Sequence, residues 1–234
     1  MSKASTFTIE STMKSYLPLM HELAIRIDLV AKACDGKLNL TPPYAYEYSY
    51  FQFRRMCELI AMGSLLLHGD LELAKSDKAK KEWNAEKIMK RLKNGYEGIF
   101  PQSVIRTIKE GDWHVECNAK PNALTFDEFN QLYISCGNVL HRGTIKKLES
   151  EKDFTQKDYE KVISWQRKIV DLMNEHFIGR SEGKGYYITS LRTESGYPEC
   201  SVFTIKGAGQ VEVSTHKMTV NDDVIHSYVS NKHL

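Results

Sequence analysis

Residues 41–69 read TPPYAYEYSYFQFRRMCELIAMGSLLLHG. The pair Pro42-Pro43 after Thr41 suits a helix start, where proline's fixed φ and missing N–H cost nothing. Gly69-Asp70 suits a stop. From about Tyr44 to His68, Tyr48, Phe51, Arg55, Glu58, Met62 and Leu65 fall along one helical stripe. Tyr50, Phe53, Cys57, Ile60, Ala61, Ser64 and Leu67 fall along neighbouring ones. Apolar groups on several sides predict a helix buried in the middle of a bundle. Arg54, Arg55 and Glu58 inside such a helix then need partners.

Before this helix, Leu17, Met20, His21, Ala24, Ile27 and Ala31 recur at steps of three and four, predicting a helix from near Ser11 to Gly36. Pro18 marks either its true start or a kink. After it, a third helix is expected over about Leu73–Lys93. It is mostly polar, and residues 71–94 carry eight cations against four acids, which reads as a solvated outer face. Val104–Ile108 and Trp113–Cys117 flank Glu110-Gly111-Asp112 and predict a β-hairpin within Ser103–Ala119. Thr125 with Glu128 is a capping box that opens a helix ending near Gly143. Thr155 with Asp158 repeats the device, for a helix running to about Phe177.

Three glycines between Gly179 and Gly185 break the helical pattern. Tyr186–Ile188, Ser201–Ile205 and Gln210–Val213 beyond them are β-prone. The expected fold class is mainly α: an antiparallel helical bundle over about residues 12–178, with an inserted β-hairpin and a small β-rich C-terminal segment. The expected division is 1–180 and 181–234. The second part is too short for a robust core of its own, so it should lean on the helices or on a second subunit.

Composition narrows the function. Lys plus Arg is 32 and Asp plus Glu is 30, a formal net charge of +2, so the whole-chain charge gives no argument for nucleic acid or an anionic membrane. The five cysteines (Cys34, Cys57, Cys117, Cys136 and Cys200) are odd in number and widely spaced. Free thiols in a reducing cytoplasm are expected. No stretch approaches the ~20 apolar residues of a membrane span, and no secretory signal opens the chain.

Several motifs fail on chemistry. Gly179–Gly185 (GRSEGKG) resembles a phosphate loop, but three residues stand between Gly179 and Gly183 instead of four. Gly185 also replaces the hydroxyl that would hold magnesium, and the order of flanking elements is reversed. His114-Val115-Glu116 is an H-x-E triplet without the downstream P-C-x-x-C that completes a deaminase zinc shell. Nothing calls for a cofactor or a metal.

The most informative polar cluster closes the helix Leu132-Tyr133-Ile134-Ser135-Cys136-Gly137-Asn138-Val139-Leu140-His141-Arg142-Gly143. Asn138 and His141 share a face, and Arg142, Lys146 and Lys147 follow. One reading is a C-terminal cap suited to the helix dipole. The other is a site where His141 moves a proton beside a bound phosphate.

The helix carrying Arg54-Arg55-Met56-Cys57-Glu58-Leu59-Ile60-Ala61, followed much later by Leu132-Tyr133 and Cys136-Gly137-Asn138-Val139-Leu140-His141, resembles HEPN-like helical proteins over roughly residues 12–178. The resemblance implies a HEPN-like helical domain over 1–180, one that dimerises. Many members are ribonucleases of toxin–antitoxin, phage-defence and RNA-processing systems, and others are non-catalytic binding or scaffolding modules. The nuclease members carry an Arg, four to six residues, then His. Counting back from His141, those positions hold Cys136, Ser135 and Ile134.

The expectation is therefore a non-catalytic, homodimeric module binding a protein or nucleic-acid partner, in bacterial phage defence or a toxin–antitoxin setting. One alternative is a metal-independent ribonuclease, with His141 and Asn138 catalytic and Arg54, Arg55, Arg142, Lys146 and Lys147 holding RNA. The other is an unrelated regulatory or structural protein.

Overall fold

The computed structural model describes residues 8–109, 112–141, 155–180, 183–206 and 211–218. Helix α1 (Ile9–Cys34) begins at an N-cap Thr8 whose hydroxyl accepts from the Ser11 N–H. Pro18 therefore lies inside it. Helix α2 (Pro42–Leu67) has proline in its first turn and buries residues on nearly every side, from Ala45 and Tyr50 to Ile60 and Leu67. It packs against α1 and against three helices that follow: α5 (Ala85–Lys93), α6 (Phe126–Leu140) and α7 (Gln156–Met173).

The single polar helix expected over 73–93 is instead three pieces: α3 (Glu72–Lys75), α4 (Asp77–Lys80) and α5. The breaks fall where polar side chains cap the backbone. Ser76 Oγ accepts from the Ala79 N–H and Asn84 Oδ1 from the Lys87 N–H. Such local bonds compete with helix continuation. Both expected capping boxes form, at Thr125/Glu128 and Thr155/Asp158.

The strands change the fold class. β1 (Gln102–Lys109) and β2 (Asp112–Cys117) make the expected hairpin, with Val104 opposite Cys117 and Lys109 opposite Asp112. The hairpin is not an isolated insert, because Gln102 and Ser103 of β1 also pair with Phe177 and His176 of β3 (Glu175–Gly179). With β4 (Gly185–Ser190), β5 (Glu199–Ile205) and β6 (Val211–Lys217), one antiparallel sheet runs in the order β2-β1-β3-β4-β5-β6. Among the described residues 56% are helical and 20% lie in strands, so the fold is α+β, not mainly α with a small β segment.

The reason lies at the end of α7. That helix stops at Met173, and His176 and Phe177, read as its last turn, belong to β3. No glycine or proline marks the change, so periodicity alone carries the helix too far. At the other end of the β3–β4 hairpin, Gly185 sits at φ +133°, and an added Cβ would lie 1.8 Å from the Phe203 carbonyl oxygen. Only glycine allows β5 to approach there.

One face of the sheet packs on the helices. Ser103, His176, Ile178, Tyr187, Thr189, Cys200 and Val202 are all buried. A hydrogen-bonded chain crosses this contact. Thr189 Oγ1 donates to Tyr16 Oη at 3.5 Å, Tyr16 O–H donates to His176 Nε2 at 2.7 Å, and His176 Nδ1–H donates to the Met173 carbonyl at 2.9 Å. The opposite face carries a row of rings: Phe177–Tyr186 at 5.2 Å and Tyr186–Phe203 stacked at 4.5 Å. Among the described residues no helix is long and apolar enough to cross a membrane.

Burial depresses the His176 imidazole from its ordinary value to about 4. The unfolded chain takes up a proton here near pH 6.5, whereas the folded chain does so only near 4. His176 therefore supports the fold fully above about pH 6.5, and that support is lost as pH falls from there towards 4. Burial lowers His68 too, which adds in the same direction. Thermal melts from about pH 8 down to about pH 4 should show the melting temperature dropping across this window, and His176→Gln should flatten that part of the curve.

Candidate functional site

Helix periodicity places Arg54 and Arg55 one turn before Glu58 on α2. Glu58 holds both: its Oε1 lies 3.4 Å from Arg54 Nε, and its Oε2 accepts from Arg55 Nη1 at 2.7 Å. The Glu58 side chain is only 11% exposed, against 26% for Arg54 and 45% for Arg55. Arg54 also lies over the ring of Tyr133 on α6, 5.1 Å from its centroid. The α2–α6 contact is therefore a carboxylate shared by two guanidiniums, one of them stacked on an aromatic face.

Beneath this cluster lie Cys57 and Cys136, both fully buried. Burial raises the Cys136 thiol to about 12, opposed by Arg54, and burial pushes Cys57 well above its ordinary range. Both stay neutral thiols, and reactivity needs the thiolate. They pack the core and offer no nucleophile.

Asn138 and His141 lie elsewhere on α6. Asn138 is exposed and lines an open groove of about 500 Å³ with Tyr46, Tyr50, Trp165, Lys161 and Lys168. The groove's cations are engaged: Lys161 pairs with Asp158 at 3.3 Å and Lys168 with Glu128 at 2.9 Å. His141 is the C-cap of α6, where the helix ends at Leu140 and not near Gly143. Its backbone is extended, its N–H donates to the Gly137 carbonyl at 3.1 Å, and the residue is exposed. Among the described residues no hydrogen bond or ion pair joins the His141 side chain to Arg54 or Arg55. Arg142, Lys146 and Lys147 lie outside the described residues.

The structure thus brings Arg54 and Arg55 together around Glu58, and places Asn138 in a separate aromatic groove. Glu58 is the residue that organises the site. Its signal is present in the sequence, since a carboxylate three and four residues after two arginines meets both on one helix face. The groove has no such signal, because Trp165 and Lys161 reach it from a helix far along the chain. His114 and Glu116, the H-x-E pair, are both exposed on β2. Gly179 ends β3 and Gly185 opens β4, and two paired strands are not the strand-to-helix junction of a phosphate loop. Among the described residues no three His, Cys, Asp or Glu side chains group to hold a metal.

No family model matches the chain, and no curated protein or solved structure matches it.

Removing Glu58 leaves two cations facing each other at a part-buried contact. Glu58→Ala should cost about 2–3 kcal/mol, read as a lower midpoint in urea unfolding. Arg55→Ala should cost under about 1 kcal/mol, because Arg55 is the more exposed partner.

Proposed function

We propose that this chain is a non-catalytic, HEPN-like module that dimerises and holds a protein partner in the cytoplasm, in a bacterial phage-defence or toxin–antitoxin setting. One observation carries the non-catalytic reading: Glu58 pairs with both arginines of α2, and Arg54 is further committed to the Tyr133 ring. A phosphate would have to displace a nearly buried carboxylate to reach Arg54. Phosphate cleavage without a metal needs a cation and a proton carrier at the same atom group. His141 sits at a helix end, with no bond to either arginine among the described residues.

Exposed apolar groups on α2, above all Tyr44 and Phe51, favour contact with a protein surface over contact with nucleic acid. Homodimerisation is part of the same reading, and light scattering at concentrations well above micromolar should approach twice the chain mass.

The competing reading is a metal-independent ribonuclease that uses His141. Purified protein incubated with structured RNA in EDTA should leave the RNA intact. Cleavage that survives chelation and disappears in His141→Ala would replace the module reading with the nuclease.

A further inference from the structure

Most of α2 is buried, yet its N-terminal half leaves one narrow strip in solvent. Tyr44 is 62% exposed and Phe51 46%, Glu47 is exposed, Tyr48 is half-buried, and the Arg55 side chain is 45% exposed. At about 100° per residue these five side chains lie within about 60° either side of Phe51.

Phe51 has opposite charges equally far on either side of it. Glu47 lies four residues before it and Arg55 four after. Antiparallel pairing of two identical helices about a two-fold axis brings each position before residue 51 opposite the position equally far after it in the other copy.

We propose that α2 is the dimer helix, pairing with α2 of a second copy across a two-fold axis at Phe51. In that arrangement Phe51 packs on its own counterpart. Glu47 of each copy meets the partner's Arg55.

The carboxylate of Glu47 is available for this, because among the described residues it has no ion-pair partner in its own chain. Arg55 is available too. One of its N–H groups serves Glu58, and a guanidinium has about five in all. The second copy therefore adds a carboxylate to the arginine cluster of the first. Across the two-fold axis the strip complements itself, because each copy supplies both the carboxylate and the guanidinium that the other meets. A single helix pair is a small contact, so the dimer should be of roughly micromolar strength. The inference rests on the dimerising part of the module reading and gives it an address.

Charge reversal tests the axis. Glu47→Lys alone sets an ammonium against the partner's Arg55 at both ends of the contact, and Arg55→Glu alone sets two carboxylates together at both ends. Each single variant should loosen the dimer by at least about tenfold in sedimentation velocity. An equimolar mixture of the two should form heterodimers of near wild-type strength, because both pairs are then again opposite in sign.

Arg55→Glu also places a carboxylate beside Glu58 and so burdens the fold itself. A second measurement is therefore cross-linking in a chain with Cys34 and Cys117 changed to serine. Phe51→Cys, on the axis, should oxidise to a covalent dimer, and Tyr44→Cys, seven residues away, should not. A wild-type chain monomeric across the concentration range would overturn both this inference and the dimerising reading. A dimer indifferent to both reversals, or cross-linking at position 44 instead of 51, would overturn the α2 axis and leave dimerisation standing.

Discussion

The burial of α2 on almost every side is the constraint to which the other elements answer. Four helices lie against it, so each must give up one face. Its own sequence must also tolerate close neighbours. At Gly63 a Cβ would come within 3.1 Å of the Tyr16 ring and 3.2 Å of the Met20 methyl, and the absent side chain is what lets α1 sit so near. Polar groups inside α2 are matched in the same way. Gln52, 3% exposed, accepts from Arg26 of α1 at 2.6 Å, and Glu58 takes up the two arginines beside it. A buried charge without such a partner would cost several kcal/mol.

The sheet is tied to this bundle through β3. That strand pairs with the hairpin on one side and with the C-terminal strands on the other, and its His176 reaches Tyr16 in the core of α1. Tyr187 on β4 donates to the Leu67 carbonyl at the end of α2. His68, the C-cap of α2, lies against the Gly179 carbonyl at 3.1 Å. Helices and sheet therefore share one set of buried contacts. The aromatic row on the far side of the sheet remains a surface feature.

The same accounting of charge bears on function. Cations that look free when the residues are taken in chain order each find a carboxylate once the helices pack. Arg54 and Arg55 serve Glu58, Lys168 serves Glu128, and Lys161 serves Asp158. What α2 leaves exposed is apolar and aromatic surface together with the Glu47 carboxylate and part of the Arg55 guanidinium. That is the chemistry of a protein contact more than of a phosphate site.

Elements whose signals are local can be read from residue order. The proline start and the all-round apolar pattern of α2, the capping boxes at Thr125 and Thr155, the β1–β2 hairpin and the meeting of Glu58 with its arginines all depend on residues a few positions apart. That the hairpin and the C-terminal strands form one sheet emerges only from the packed chain. The Gln102–Phe177 and Ser103–His176 pairs join positions more than seventy residues apart, and β3 follows α7 with no breaker between them. The candidate site divides the same way. That two arginines need a carboxylate can be read from one helix. That Asn138 faces Tyr46 and Trp165, while His141 caps a helix end, depends on how three helices pack, because packing acts between surfaces that chain order does not place together.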